Sequence, residues 1–424
     1  MNLPAGLSLE SLLVLPIAIL AFIVLLSIIV FIHEYGHFSV ARMLGVKVDV
    51  FSIGFGKTLL KWVDRKGTEW RIAMLPLGGY VKFFGDLNAA SQAPAEVVEG
   101  DDRAAPMTTQ FPKPGQEAEI GAGMTAEERA VCFHFKPVWA RALIVAAGPI
   151  FNFILAVAIF TALLASLGRA HLEPRVTSVT PDSPAFEAGF EPGDLVISVG
   201  GREVNEFGAL RDHVITSGGQ EMTVVVERGG QETTLKVTPR RVESTDRYGN
   251  PIELWQLGIG SDTTAYTFEK LNVFEAFGAG VHELWRVLSL TVKFLGKIIL
   301  GQEDVRQLGG PIKMAQYAGQ SAMSGFDTSS YSEPPAFWTM LKVSLIDFIS
   351  LAAVVSISIG FLNLLPVPVL DGGHLVYYAY ESVAGKPLGA KAQAVGFRVG
   401  IVMLASLMIF VTWNDINNLI SSIS

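Results

Sequence analysis

Uncharged apolar runs alternate with polar stretches along this chain, and the runs predict its architecture. Ser11–Ile32 (22 residues), Ala142–Gly168 (27 residues) and Phe348–Leu370 (23 residues) contain no Asp, Glu, Lys or Arg. A bilayer core of about 30 Å needs roughly 20 apolar residues in helical form, so each run predicts a membrane span. Val399–Asn414 is shorter, at 16 uncharged residues. Arg398 at its edge can lay its stem along the helix and carry its charge to the interface, which predicts a fourth span. The first run exceeds the usual apolar core of a signal peptide, no Lys or Arg precedes it, and no small-residue cleavage site follows it. It is therefore expected to remain as a span.

Between the runs the period changes. Residues 46–85 read as strands, with KTLLKW and EWRIAML flanking the turn Asp64-Arg65-Lys66-Gly67 as a hairpin. The stretch 86–130 is polar, acidic and rich in Ala, Pro and Gly, which predicts a loop. Residues 172–243 hold short strand-like runs around SPAFEAGFEPGDLVISVGGREV, which reads as a short helix, a turn and a strand. In Val281–Leu300, Glu283, Arg286, Lys293 and Lys297 share a wedge of about 80° at helical periodicity. Leu284, Leu288, Val292, Leu295 and Ile299 line the other side, as in a helix lying in the membrane interface instead of crossing it.

Composition agrees. Half of the 424 residues are hydrophobic and 17% are charged, against about 25% charged in soluble domains; the mean hydropathy is +0.41. The charge deficit argues against a purely soluble enzyme, whole-chain disorder is excluded, and the single Cys132 excludes a disulfide scaffold. A net charge of −8 gives no sign of nucleic acid binding. Lys and Arg are absent from residues 1–41 but cluster after the first span (Arg42, Lys47, Lys57) and before the second (Arg129, Lys136, Arg141). The positive-inside rule then makes 39–141 cytoplasmic and the N-terminus external.

The chemical signal sits at span ends. His33-Glu34-Tyr35-Gly36-His37 closes the first run. Residues i and i+4 share a helix face, so both imidazoles can reach one metal ion, with Glu34 beside them to take a proton from water. Zinc brings the pKa of bound water to near 7. Polar groups of this kind in a span are expensive and point to function. A catalytic zinc takes three protein ligands, and Asp371, in NLLPVPVLDGGH (363–374), is the best candidate for the third. Pro366 and Pro368 break helical hydrogen bonding there, and opened backbone at membrane depth is tolerated where it lines a cavity. The topology adds a condition: Asp371 reaches the side of His33 and His37 only if 281–300 does not cross the membrane.

HEYGH (33–37), PLGGYVKFFGD (76–86), AGPIFNF (147–153), the segment with Ala188-Gly189-Phe190 and Pro192-Gly193-Asp194, GPIKMAQYAGQSA (310–322) and NLLPVPVLDGGH occur together in one order. In this the chain resembles a bacterial site-two intramembrane zinc metalloprotease of the regulator-of-sigma-E type, and 172–243 resembles a PDZ domain. The resemblance implies His33, His37 and Asp371 as zinc ligands, Glu34 as the catalytic residue, and Asn363 and Pro366 as residues that hold substrate. It also implies that 46–85 is a membrane-associated β element that pairs with unwound substrate. Better-known members carry two tandem PDZ domains, whereas this chain has room for one.

The expected fold is an α-helical polytopic membrane protein of about four transmembrane helices, with a membrane-associated β-hairpin element and an inserted α+β PDZ-like domain. Its expected segments are 1–45, the first span with HExxH; 46–85, the β element; 86–140, a cytoplasmic loop; and 141–168, the second span. The PDZ-like domain follows at 172–243, then a post-PDZ region with the interfacial helix at 268–335. The third span, with NxxPxxxxDG, is expected at 340–374 and the fourth at 395–415. The expected activity is zinc-dependent hydrolysis of peptide bonds within single-span membrane proteins, such as anti-sigma factors or signal peptide remnants. The expected partners are those substrates, the lipid bilayer and a peptide or substrate tail at the PDZ-like domain, without nucleic acid. The expected location is the bacterial inner membrane, with both termini and the PDZ-like domain periplasmic. A catalytically inactive PDZ adaptor and a metal transporter are the rival classes.

Overall fold

The computed structural model describes residues 9–85, 124–245, 251–262, 265–327 and 335–423. The chain divides into two units, residues 1–156 with 310–424, and residues 157–309.

In the first unit, helix α1 (Leu9–Met43) carries no charged residue from Ser11 to Ile32, just before HEYGH, as suits a helix surrounded by lipid and protein. Strands β1 (Val48–Val63) and β2 (Glu69–Phe83) follow. They form more than the expected simple hairpin. Residues 50–53 pair on one side with 79–82 and on the other with 69–72, while 60–63 pair with 69–72. Two bent strands thus give four rows, in the order 79–83, 48–53, 69–73, 58–63. The bend lies at Gly54 and Gly56, whose φ of +89° and +86° suit glycine alone. Phe38 and Ala41 of α1 pack with Val48, Phe51, Val81 and Phe83 of the sheet. Phe51 is fully buried, and burial of a phenylalanine side chain stabilises by about 1.5–3 kcal/mol.

Of the loop expected at 86–140, residues 86–123 lie outside the described part. Its end is helical: α2 (Ala126–Val131) starts at a capping box of Thr125 and Glu128. Helix α3 (Val138–Leu167) then runs on into the second unit.

The second unit continues through β3 (Arg169–His171), β4 (Ser178–Val179), α4 (Pro184–Glu187), β5 (Leu195–Val199), β6 (Arg202–Glu203) and α5 (Phe207–Ile215). Strands β7 (Met222–Arg228), β8 (Gln231–Val237), β9 (Arg240–Thr245), β10 (Pro251–Gln256), β11 (Ile259–Gly260) and β12 (Thr267–Glu269) complete its β structure. The main sheet has the order β6-β5-β7-β8; β9 pairs with β10, β4 with β11 and β3 with β12. Its core gathers Val176, Phe190, Val196, Leu210, Val224 and Val226 with Leu257. Leu257, and β11 pairing with β4, place part of this α+β unit beyond residue 243. Arg228 donates to both oxygens of the buried Asp194 carboxylate, at 2.7 and 2.8 Å.

Helix α6 (Val273–Ile299) closes the unit and starts at a capping box of Asn272 and Glu275. Its charges meet protein: Arg286 donates to Asp212 of α5 at 2.8 Å, and Lys297 donates to the Thr216 carbonyl. Trp285, Val292 and Ile299, spaced by seven, are exposed. Gly280 lies against α3, where a Cβ would come 2.9 Å from Thr161 Oγ1.

The first unit resumes with α7 (Pro311–Met323), α8 (Phe337–Leu364), α9 (Asp371–Ala384) and α10 (Ala390–Ile423). The third apolar run therefore ends as a helix at Leu364, six residues before its last uncharged position, because Pro366 and Pro368 have no N–H to continue the ladder. Among the described residues, four helices are long and apolar enough to cross a membrane: Leu15–Met43, Val138–Leu167, Phe337–Leu364 and Lys391–Asn418.

Candidate metal centre

Side chains from two helices of the first unit, α1 and α9, meet at one point. Helical spacing puts His33 and His37 on one face of α1, with Nε2 atoms 3.3 Å apart. The third group arrives on α9. The chain leaves α8, turns through 365–370 and begins α9 at Asp371. Gly372 and Gly373 make this turn possible, since a Cβ on either would sit 2.3–2.4 Å from the carbonyl oxygens of Leu364, Leu365 or Val367. Asp371 Oδ2 thereby comes to 3.1 Å from His33 Nε2 and 3.5 Å from His37 Nε2.

This donor set fits zinc. A tetrahedral ion with bonds of about 2.0–2.1 Å spaces its ligand atoms about 3.3–3.4 Å apart, and the three separations, 3.1, 3.3 and 3.5 Å, bracket that value. Asp371 Oδ2 is buried and makes no hydrogen bond. Two imidazole nitrogens and a carboxylate oxygen facing one another offer lone pairs to a shared cation.

A cavity of about 330 Å³ opens onto these groups. Glu34, Asn363 and His374 line it together with His33, His37 and Asp371. Residues Gly79, Tyr80, Val81 and Phe83, from the edge row of the sheet, form another wall. Gly79 is held close to α1: a Cβ there would meet Glu34 Cγ at 2.9 Å and Ser52 O at 2.8 Å. Pro366 is not among the lining residues; it sits in the turn where α8 stops. The structure thus brings five of the six expected site residues to one cavity and leaves Pro366 beside it.

Sequence reasoning passed over the wall formed by α3. His37 Nδ1 donates to the Ile144 carbonyl at 2.9 Å. His33 Nδ1 lies 3.3 Å from the side-chain amide of Asn152. Gly148 lies between them, and a Cβ there would stand 2.3 Å from His37 Nε2. The available signal was the one Asn in an otherwise uncharged run, a polar group that lipid does not favour.

A membrane-spanning helix that carries HExxH and meets a distant Asp beside a cavity defines a membrane zinc metalloprotease. Residues 21–407 match peptidase family M50, and the chain belongs to that family. It is 42% identical over 404 residues to a protein of Agrobacterium fabrum named "Putative zinc metalloprotease", a match spanning 95% of this chain and 96% of that one. It is 38% identical over 402 residues to the metalloprotease MmpA of Caulobacter vibrioides, over 95% and 96% of the two chains. Among solved structures, the PDZ domain of an SdrC-like protein of Listeria monocytogenes aligns with 21% of this chain and 87% of its own, at 20% identity and a TM-score of 0.17.

Proposed function

We propose that this metallopeptidase cuts peptide bonds inside the membrane, within single-span protein segments. The observation that carries the reading is the meeting of His33, His37 and Asp371 at a cavity walled by spanning helices and an edge row of β structure. His33, His37 and Asp371 hold zinc, which when bound supplies Lewis acidity toward the scissile carbonyl and toward water. Glu34 takes a proton from water and delivers it to the leaving amine.

A helical peptide bond is shielded by its own turns, so the substrate must unwind before it is cut. Unwound backbone in lipid needs hydrogen-bond partners. The 79–83 row, which pairs with 48–53 and lines the cavity, supplies them by accepting the substrate as an added strand. Asn363 hydrogen-bonds the substrate backbone near the reacting bond, and Pro366 keeps that wall open by ending α8.

The same reading orients the chain. His33 lies in the later half of the first span and Asp371 follows the third, and their meeting requires an even number of crossings between the spans' like ends. Helix α6 then lies along the outer membrane surface with Trp285, Val292 and Ile299 toward lipid. The metal centre lies near the cytoplasmic side of the bacterial inner membrane, and the unit at 172–243 is periplasmic, where it binds or screens the external part of a substrate. An inactive adaptor is disfavoured by the presence of Glu34.

The test is cleavage of a single-span reporter reconstituted with the protein in lipid vesicles, with product ends mapped by mass spectrometry. Cuts inside the apolar segment are expected. Cuts confined to its soluble flanks would contradict the reading.

A further inference from the structure

We propose that Asn152 is a positioning residue for the metal centre: its amide oxygen accepts the Nδ1 proton of His33 and turns Nε2 toward the ion. The proposal rests on the assignment of His33 as a zinc ligand.

The two imidazoles have matching surroundings. For His37 the partner of Nδ1 is a backbone carbonyl, that of Ile144, which can only accept. Nδ1 therefore carries the proton, and Nε2 offers its lone pair toward His33 and Asp371. His33 faces the same way, with Nε2 at 3.1 Å from Asp371 Oδ2. Its Nδ1 must then also be a donor in need of an acceptor. The group 3.3 Å away is the Asn152 amide, placed with Nδ2 toward the ring. In that placement Oδ1 is buried without a hydrogen bond. A half-turn of the amide exchanges Nδ2 for Oδ1, two atoms of nearly the same size. It gives His33 its acceptor and Oδ1 its donor in one step.

The rest of α3 is shaped for this contact. Ile144, Gly148 and Asn152 recur every four residues and share one helix face. Gly148 leaves room for both rings, since a Cβ there would meet His37 Nε2 at 2.3 Å and His33 Cε1 at 2.9 Å. Gly36 does the same on α1, where a Cβ would come 2.4 Å from the Ala147 carbonyl. From the far side, Ser356 of α8 donates to the Asn152 backbone carbonyl at 2.9 Å. Asn152 and Ser356 are both fully buried. The backbone that carries the Asn152 amide is thus held by the same helix that leads to Asp371. Partners of this kind set the tautomer and orientation of a metal-bound imidazole, and their loss lowers metal affinity by about 10–100-fold.

The experiment measures zinc retained by the purified full-length protein during challenge with a chelator, for wild type, Asn152→Leu, Asn152→Asp and His33→Ala, with thermal unfolding of each as a folding control. Asn152→Leu keeps the volume but removes the acceptor; Asn152→Asp restores an acceptor. The expected result is zinc loss about 10–100-fold faster for Asn152→Leu, with Asn152→Asp near wild type and all variants folded. Wild-type retention by Asn152→Leu would overturn the proposal. Equal loss by the Leu and Asp variants would also overturn it, because packing alone would then explain the effect. Wild-type retention by His33→Ala would instead overturn the ligand assignment on which the proposal rests.

Discussion

His33 Nε2 and Asp371 Oδ2 stand 3.1 Å apart, although one lies on α1 and the other begins α9 near the far end of the chain. Among the described residues, their meeting with His37 forms the one group of three His, Cys, Asp or Glu side chains close enough to hold a metal ion. Asp371→Asn keeps the shape but gives up the anionic ligand. Zinc should leave this variant at least about 10-fold faster than wild type under chelator challenge. Unchanged metal content would remove Asp371 from the ligand set.

The β element is tied to α1 by a charge pair. Arg42, five residues after His37, donates to Asp64 Oδ2 at 2.6 Å in the turn between β1 and β2. Burial alone would raise the Asp64 carboxyl. Hydrogen bonds from the Trp70 indole, the Thr68 and Lys66 amides and the Arg42 guanidinium outweigh it and bring the pKa down to about 2. A carboxyl lowered on folding stabilises the fold above its unfolded pKa of about 3.9, and that contribution is lost as pH falls toward the folded value. Asp64→Asn should therefore lower the thermal midpoint most near pH 6, with the difference from wild type shrinking between about pH 4 and pH 2. A difference that stays constant over this window would rule out the carboxylate as its source.

A second carboxylate fixes the outer architecture of the first unit. Asp415 of α10 is buried, and its two oxygens accept from the backbone N–H groups of Gly310 and Lys313, each at 3.0 Å. It caps the N-terminus of α7 from another helix, where backbone donors have no partner in their own helix. Asp415→Ala leaves those donors buried and should destabilise the folded protein by about 1–3 kcal/mol. Asp415→Asn retains one acceptor and should recover part of the loss. Thermal unfolding in detergent measures both, and wild-type stability of the Ala variant would refute the cap.

Much of this was legible in sequence because it is local. The i, i+4 spacing of His33 and His37 lies within one helix turn, and the break before Asp371 is written in Pro366, Pro368 and the two glycines that follow. What escaped depends on distant chain segments. The four-row sheet follows from a bend at Gly54 and Gly56, which the turn at residues 64–67 does not reveal. The Arg286 and Lys297 charges of α6 read as a face toward water, yet they meet Asp212 and the Thr216 carbonyl on α5 and just after it. Leu257 lies past the strand-like runs but fills the core they build. Asn152 lies in the AGPIFNF motif, but its place beside His33 depends on how α3 packs against α1.

Glu34 is proposed to act on water at a metal held by its neighbours, and Glu34→Gln isolates that role, with zinc content and cleavage of a vesicle-embedded single-span substrate measured on the same preparation. Full zinc content, wild-type thermal stability and a loss of cleavage of at least about 100-fold, the lower end of a general base's contribution, are expected. Cleavage at the wild-type rate by a zinc-loaded Glu34→Gln protein would contradict that role.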